Sequence, residues 1–254
     1  MKPLTYLIAA LLSPVLTTVA LADSNITLKT GYDFSSGTYG STTRTDISAV
    51  PFIGSYETGN WTLKATLPYI RITGADNVVA GVGAVRQTGV AARTASGWGD
   101  LTAAATYSFA LDPKAQFGVD VSGKIKFGIA DSARGLGTGE HDYWLLVDPY
   151  RRIGNTTWFG GLGYGVLGSS PGLKLKNVVS ANVGLSQKID DRASAGVIFD
   201  YRTRSTDIGY AQRELTAFYS RKFDADYKMQ AYATKGFSDG SPDWGAGLNL
   251  GRQF

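Results

Sequence analysis

The chain has no cysteine and a single histidine, His141. Lacking thiols, it has no disulfide framework, no thiolate metal site and no cysteine nucleophile. One imidazole cannot build a histidine metal cluster, and His141, between Glu140 and Asp142, has no serine motif beside it to make a hydrolytic pair. Catalysis is therefore not expected, and no cofactor motif is present. Charge is scarce as well, 18% of residues against roughly 25% in an average soluble domain. Beyond residue 22 no apolar run approaches the roughly 20 residues of a membrane-spanning helix, which excludes a helical bundle. Setting Lys2 aside leaves 24 basic and 21 acidic residues. They are scattered singly rather than gathered in a basic stripe, so no nucleic-acid partner is expected.

Glycine, by contrast, is plentiful at 32 residues, and aromatic residues make up 12%. The chain opens with Lys2, an uncharged run from Leu4 to Val19 interrupted at Ser13-Pro14, and Ala20-Leu21-Ala22 before Asp23. This order is that of a cleaved secretory signal, predicting a leader at 1–22 and a mature domain at 23–254.

From about residue 25 one unit recurs: some ten residues alternating apolar with small or polar, then a turn. Leu101, Ala103, Ala105, Tyr107, Phe109 and Leu111 share one face; Asp100, Thr102, Thr106 and Ser108 share the other. Phe117, Val119, Val121, Ile125 and Phe127 alternate in the same way with Asp120, Ser122, Lys124 and Lys126. Short turns at Asp112-Pro113-Lys114, Gly154-Asn155, Asp190-Asp191-Arg192 and Asp224-Ala225-Asp226 set the register, predicting Phe109 opposite Phe117, Leu101 opposite Ile125 and Thr102 opposite Lys124. Strands are expected near 25–34, 44–56, 60–71, 97–111, 115–128, 141–153, 156–168, 175–189, 193–204, 210–223, 227–237 and 242–254. About twelve antiparallel strands with alternate faces predict an up-and-down transmembrane β-barrel of a Gram-negative outer membrane, both termini periplasmic. The chain ends on Phe254, placed like the C-terminal signal that such proteins present to the barrel assembly machinery, although Arg252 stands where an apolar residue is usual.

Gly97-Trp98-Gly99-Asp100-Leu101, then Gly135-Leu136-Gly137-Thr138-Gly139 and Asp142-Tyr143 resemble the outer-membrane transporter family labelled meta-pathway of phenol degradation, over about 95–254. The family's Pro-Thr-Gly-Asp is replaced here by Gly128-Ile129-Ala130-Asp131. The resemblance implies a channel for small hydrophobic or aromatic solutes.

If the apolar faces meet lipid, the inward face carries Lys29, Asp33, Asp46, Lys64, Asp100, Asp120, Lys124, Lys126, Asp148, Arg152, Asp200, Arg202, Glu214 and Lys228, with Trp144, Leu146 and Tyr150. Along the chain the two signs interleave, and neither a basic ladder nor an acidic ring is expected, so weak selectivity follows. These charges read equally as a solute path or as a polar network filling a narrow barrel. The inward glycines Gly161, Gly163 and Gly165 read as free space or as positions that neighbouring aromatics cover. The connection at 73–96 is unusually long. Its uncharged run Val78-Val79-Ala80-Gly81-Val82-Gly83-Ala84-Val85 reads either as a segment folded into the mouth or as strands extending above the membrane. Arg86 and Arg93 in it are candidates for lipopolysaccharide phosphates, and Asp131, Glu140 and Asp142 are a weak calcium set. The function expected is a passive channel for a small-molecule solute, in contact with outer-membrane lipids and lipopolysaccharide. A non-conducting structural or surface-interaction barrel is the alternative, and an outer-membrane lipid hydrolase the third reading.

Overall fold

The computed structural model describes residues 25–75, 78–84, 92–169 and 173–254. The leader predicted at 1–22, together with Val85 and Arg86, lies outside these residues. Fifteen strands are present in the described chain: β1 (Asn25–Gly37), β2 (Thr45–Thr58), β3 (Trp61–Ala75), β4 (Val78–Val79), β5 (Gly83–Ala84), β6 (Ala92–Trp98), β7 (Leu101–Asp112), β8 (Phe117–Phe127), β9 (Asp142–Ile153), β10 (Thr156–Val166), β11 (Val178–Lys188), β12 (Ala193–Arg202), β13 (Gln212–Lys222), β14 (Tyr227–Gly236) and β15 (Trp244–Gln253).

Each long strand pairs antiparallel with its sequence neighbours, and β1 closes the ring by pairing with both β15 and β2. Strands β6 and β7 are two lengths of one barrel strand. Both lie on β3, and between them Gly99 donates its N–H to the Pro68 carbonyl at 2.8 Å. With β4 and β5 forming a separate hairpin, the barrel has the twelve strands predicted, and closure leaves no unpaired edge in the bilayer. An eleven-residue strand such as β8, at about 3.3 Å per residue and a tilt near 40°, rises about 28 Å, enough for the apolar band.

The outward face is apolar along the middle of the strands, with Leu63, Leu145, Leu162, Val183, Val197 and Leu248 exposed. Aromatic residues mark its two borders. At the short-turn end Trp61, Tyr107 and Phe109 stack in series at 5.0 and 4.6 Å. At the long-loop end Trp98 packs against Tyr69 at 5.5 Å, and Phe34 against Trp244 at 5.2 Å. Such girdles sit at the depth of lipid headgroups. Phe254 is on the outer surface at the short-turn end, its N–H bonded to the Ile26 carbonyl at 2.8 Å. Arg252 lies over the Phe254 and Tyr227 rings at 4.7 and 5.4 Å. At the border of the band its charge is held by aromatic faces, which explains an arginine at that position.

The tight turn at Gly154-Asn155 forms as predicted, with Gly154 at φ +61° and Ile153 opposite Thr156. The β7–β8 hairpin differs from its predicted register by two residues. Leu101 faces Phe127, Phe109 faces Val119 and Thr102 faces Lys126, because the turn takes in Gln116, at φ 48°, and the ladder is irregular between Ala110 and Asp112. A shift of two keeps every side chain on its predicted face and displaces it along the barrel.

Strand β10 presents Gly161, Gly163 and Gly165 inward, and they are covered rather than open. A Cβ on Gly165 would lie 2.7 Å from the Trp144 indole, and one on Gly163 would lie 2.6 Å from Leu146. Gly165→Ala is therefore expected to cost about 1–3 kcal/mol through overpacking, read as a lowered urea midpoint in phospholipid vesicles. An unchanged midpoint would mean that Trp144 swings aside freely.

Candidate functional site

The lumen is built by the polar positions of the strands, and its long-loop end is closed by a buried ionic hub. Lys126 of β8 lies 2.9 Å from the Asp142 carboxylate of β9 and 3.4 Å from Asp100, which precedes β7. Its Nζ also donates to the Thr138 hydroxyl at 2.6 Å. The second oxygens of the carboxylates hold loop backbone: Asp100 accepts the Ala130 N–H at 2.9 Å and Asp142 accepts the Gly168 N–H at 3.0 Å. Lys126 and Asp100 are each 1% exposed, so the charges are shielded from water and stand only because each has partners. Segments 97–101, 135–139 and 142–143, distant in sequence, meet at this hub, with Gly137 too close to Asp100 for a side chain.

Above the hub, β4 and β5 fold into the mouth. Val78 and Ala80 are fully buried against Ile47 and Ala49 of β2, Ile70 and Ile72 of β3, Ala95, Tyr39, Ala130 and Leu136. Val79 and Val82 pack on Leu173 and Leu175. Two polar contacts fasten the hairpin: the Ala80 N–H to the Gly135 carbonyl and the Arg202 guanidinium to the Val82 carbonyl, both at 3.2 Å. Both sequence readings of this connection are realised, since β3 and β6 extend as paired strands while the run between them turns inward. Burying these apolar residues inside requires apolar partners, and the pattern of β3 shows how they arise. Trp61, Leu63 and Tyr69 face out, whereas from Ile70 onward the apolar residues face in and Arg71 and Thr73 face out. That inversion of phase near the end of the strand was the sequence signal for an interior plug. It also corrects Asp46. It shares the outward parity of Phe52, because Ile47 and Ala49 take the inward positions, and it accepts a hydrogen bond from Ser36 at 2.6 Å on the rim.

Below the plug the register brings some charges of like sign level with one another, while both signs still alternate along single strands, as with Lys29 and Asp33 on β1, Asp120 and Lys124 on β8, and Asp200 and Arg202 on β12. One inward row joins Asp120 of β8 directly to Asp148 of β9. It passes Gly161, against which Asp148 packs and meets the Asn182 amide, and continues through Asn182 to Asp200 and Glu214. The row begins near the short turns at Asp120 and climbs to the long-loop end at Glu214. Several of the lysines form a second series. Lys228 of β14 and Lys29 of β1 flank Gly251, and that row leads through Ile53, Thr66 and Thr102 to Lys126. The next row down places Lys64 level with Ala104 and Lys124.

The remaining predicted positions are inward too. Lys124 lies over the Trp144 ring at 4.7 Å, Tyr150 covers Gly118, and Arg152 bends to the Gly154 carbonyl at 3.1 Å. Asp33 accepts the Tyr232 hydroxyl at 2.5 Å. His141 is exposed on the outward parity, where its Nδ1 accepts the Gly128 N–H at 3.2 Å and its ring packs edge-on to Phe127. Asp131, Glu140 and Asp142 do not converge, because Asp142 serves Lys126 and Asp131 accepts the Arg134 N–H. Among the described residues no group of three or more His, Cys, Asp or Glu is placed to hold a metal ion. Arg93 donates to the Ala133 carbonyl, within the protein.

No family model and no curated protein matches the sequence. Among solved structures the chain is similar to an outer membrane channel from Pseudomonas putida F1, with a TM-score of 0.69, 14% identity and coverage of 92% of this chain and 97% of that one. It is also similar to the translocator domain of the autotransporter NalP from Neisseria meningitidis, with a TM-score of 0.53, 16% identity and 91% and 88% coverage. The KdgM porin gives 0.53, 9% identity and 90% and 98% coverage. Likeness at these identities is likeness of fold, and the fold is that of a closed outer-membrane β-barrel.

Proposed function

We propose that the protein is a passive outer-membrane channel for small solutes. The observation that carries this reading is the inward wall below the plug. It holds Asp120, Asp148, Lys29, Lys64 and Lys228, each partly exposed, in a closed barrel whose outer face is apolar, and ionised groups on such a wall are favourable only where water reaches them. The described likeness to an outer membrane channel and to a porin supports the same reading. The resemblance of segments 97–101 and 135–143 to a transporter family adds hydrophobic or aromatic solutes as cargo, and the apolar mouth formed by Val79, Val82, Leu173 and Leu175 offers them a landing site. In this orientation the short turns and both termini face the periplasm, the long loops meet lipopolysaccharide, and Phe254 on β15 is the residue presented to the assembly machinery.

Purified protein in planar bilayers is expected to give discrete conductance steps. A bilayer that stays silent with correctly folded protein would instead establish the non-conducting structural barrel, which the filled long-loop end favours.

A further inference from the structure

The outer surface of the barrel carries a pair of cations at the long-loop border. Arg213 on β13 and Lys235 on β14 share the parity of the lipid-facing residues, and both are exposed. Lys235 is level with Leu215 on one side and Trp244 on the other, so Arg213 stands two residues further along, diagonally across from it. Such diagonal neighbours lie about 7–8 Å apart, a separation that two long side chains can close around a single anion. The backbone of Arg213 is fixed from both sides: its N–H donates to the Ser241 hydroxyl at 2.9 Å, and its carbonyl accepts the Phe237 N–H at 2.8 Å. Among the described residues no Asp or Glu stands on the outward face of β12 to β15, and neither cation has an ion-pair partner. Acids of the adjoining loops are engaged elsewhere. Asp243 is held by Arg44 at 3.1 Å and Asp207 by Lys176, while Asp239 lies against Gly40.

Toward the middle of the membrane the wall below these cations is hollowed. Ala217, Ala233 and Ala246 come level on β13, β14 and β15, between Val197 of β12 and Phe34 of β1. Three methyl groups in a row leave a shallow trough between larger side chains. Trp244, level with Lys235, and Phe237, beside Arg213, are exposed and stand at headgroup depth.

We propose that this face holds one phosphorylated glycolipid of the outer leaflet, a lipid of the lipid A type. Arg213 and Lys235 take a phosphate of its headgroup, and the alanine trough seats an acyl chain. The proposal rests on the orientation given above, in which the long loops meet lipopolysaccharide. A phosphate accepts hydrogen bonds from the guanidinium and the ammonium at once, and at the edge of the bilayer such charge-assisted bonds are stronger than in bulk water. It also relieves the repulsion between two neighbouring cations that no carboxylate separates. The occupant is a lipid phosphate rather than a free one because the pair opens onto the hydrocarbon-facing trough and not into the lumen.

The test uses the intact barrel in mild detergent, stripped of endogenous lipid and titrated with bisphosphorylated lipid A under native mass spectrometry. One lipid A per barrel is expected. Arg213→Gln with Lys235→Gln should weaken binding about tenfold or more, and lipid A stripped of its phosphates should bind the wild type as poorly. Arg151→Gln, which removes an exposed outward cation at the short-turn border, should change nothing. Ala233→Leu keeps both cations, fills the trough and should lose affinity, whereas excess inorganic phosphate should leave the bound lipid in place. All variants are checked for folding by heat-modifiable migration. Undiminished binding by the Arg213 and Lys235 variant, by the Ala233 variant or of dephosphorylated lipid A overturns the proposal, and so does displacement by inorganic phosphate. Orientation is read separately, in a chain with no cysteine of its own, from Asp239→Cys. Labelling by an impermeant maleimide on intact cells supports the outward placement of the long loops. Labelling only after lysis overturns that orientation, and the outer-leaflet assignment with it, whatever affinity is measured.

Discussion

Lys126→Met is expected to destabilise the barrel by about 3–5 kcal/mol, the largest single-residue effect we anticipate. The methionine would fill nearly the same volume, so the loss would come from electrostatics. Asp100 and Asp142 would be left side by side inside the protein, and Thr138 would lose its bond to the ammonium. The two carboxylates also hold the N–H groups of Ala130 and Gly168, so the disturbance should spread to the loops at 128–141 and 167–177. Urea unfolding in phospholipid vesicles, followed by tryptophan fluorescence, reads the midpoint, and hydrogen exchange at Ala130 and Gly168 reads the loops. Adding Asp100→Asn and Asp142→Asn to Lys126→Met should recover much of the loss, because no unpaired charge then remains buried. If the triple variant is as weak as the single one, packing rather than charge holds the hub. By contrast Asp191→Asn, which breaks an exposed pair with Lys188 at 2.5 Å, should leave the midpoint unchanged.

Replacing residues 78–84 by a glycine-serine linker of equal length is expected to raise single-channel conductance several-fold. The hairpin occupies the long-loop end between β2 and β3 on one side and Leu173 and Leu175 on the other. It is therefore in series with any path through the lumen, and an apolar constriction resists ions far more than a polar passage of the same width. A milder change, Arg202→Leu, removes the bond to the Val82 carbonyl while leaving the apolar contacts of Val78 and Ala80. Brief openings to the higher level, rather than a permanent increase, are the expected signature. Equal conductance in wild type, linker and Arg202 variants would place the permeation path away from the hairpin.

Much of the architecture was legible because outer-membrane strands are written in a local code. Leu101, Ala103, Tyr107 and Phe109 alternate with Thr102, Thr106 and Ser108 whatever the rest of the chain does, and Gly154-Asn155 specifies a tight turn on its own. The errors came where a residue's surroundings are supplied from elsewhere. Asp46 was placed inward because apolar residues were taken to face lipid, whereas Ile47 and Ala49 face a hairpin that arrives from thirty residues further on. Asp100 and Lys126 were read as inward charges that either line a path or fill the barrel; both are inward, and they are sealed into a hub whose third member, Asp142, the sequence did not place with them. The paired register of β7 and β8 was off by two because the length of the turn depended on Gln116 adopting a positive φ, to which no residue preference points.

The amino-acid sequence determined that the strands are two-faced, that there are twelve of them, and that they close with apolar residues outward, because each of these follows from a period of two and from turns of a few residues. Which charges come level with one another was decided only by the tertiary structure. Register accumulates from strand to strand around the ring, so Asp148 and Asp200, on strands three apart, join one row while Lys29 and Lys228 join another. A shift of two residues at any hairpin leaves every face intact and yet re-sorts the lumen.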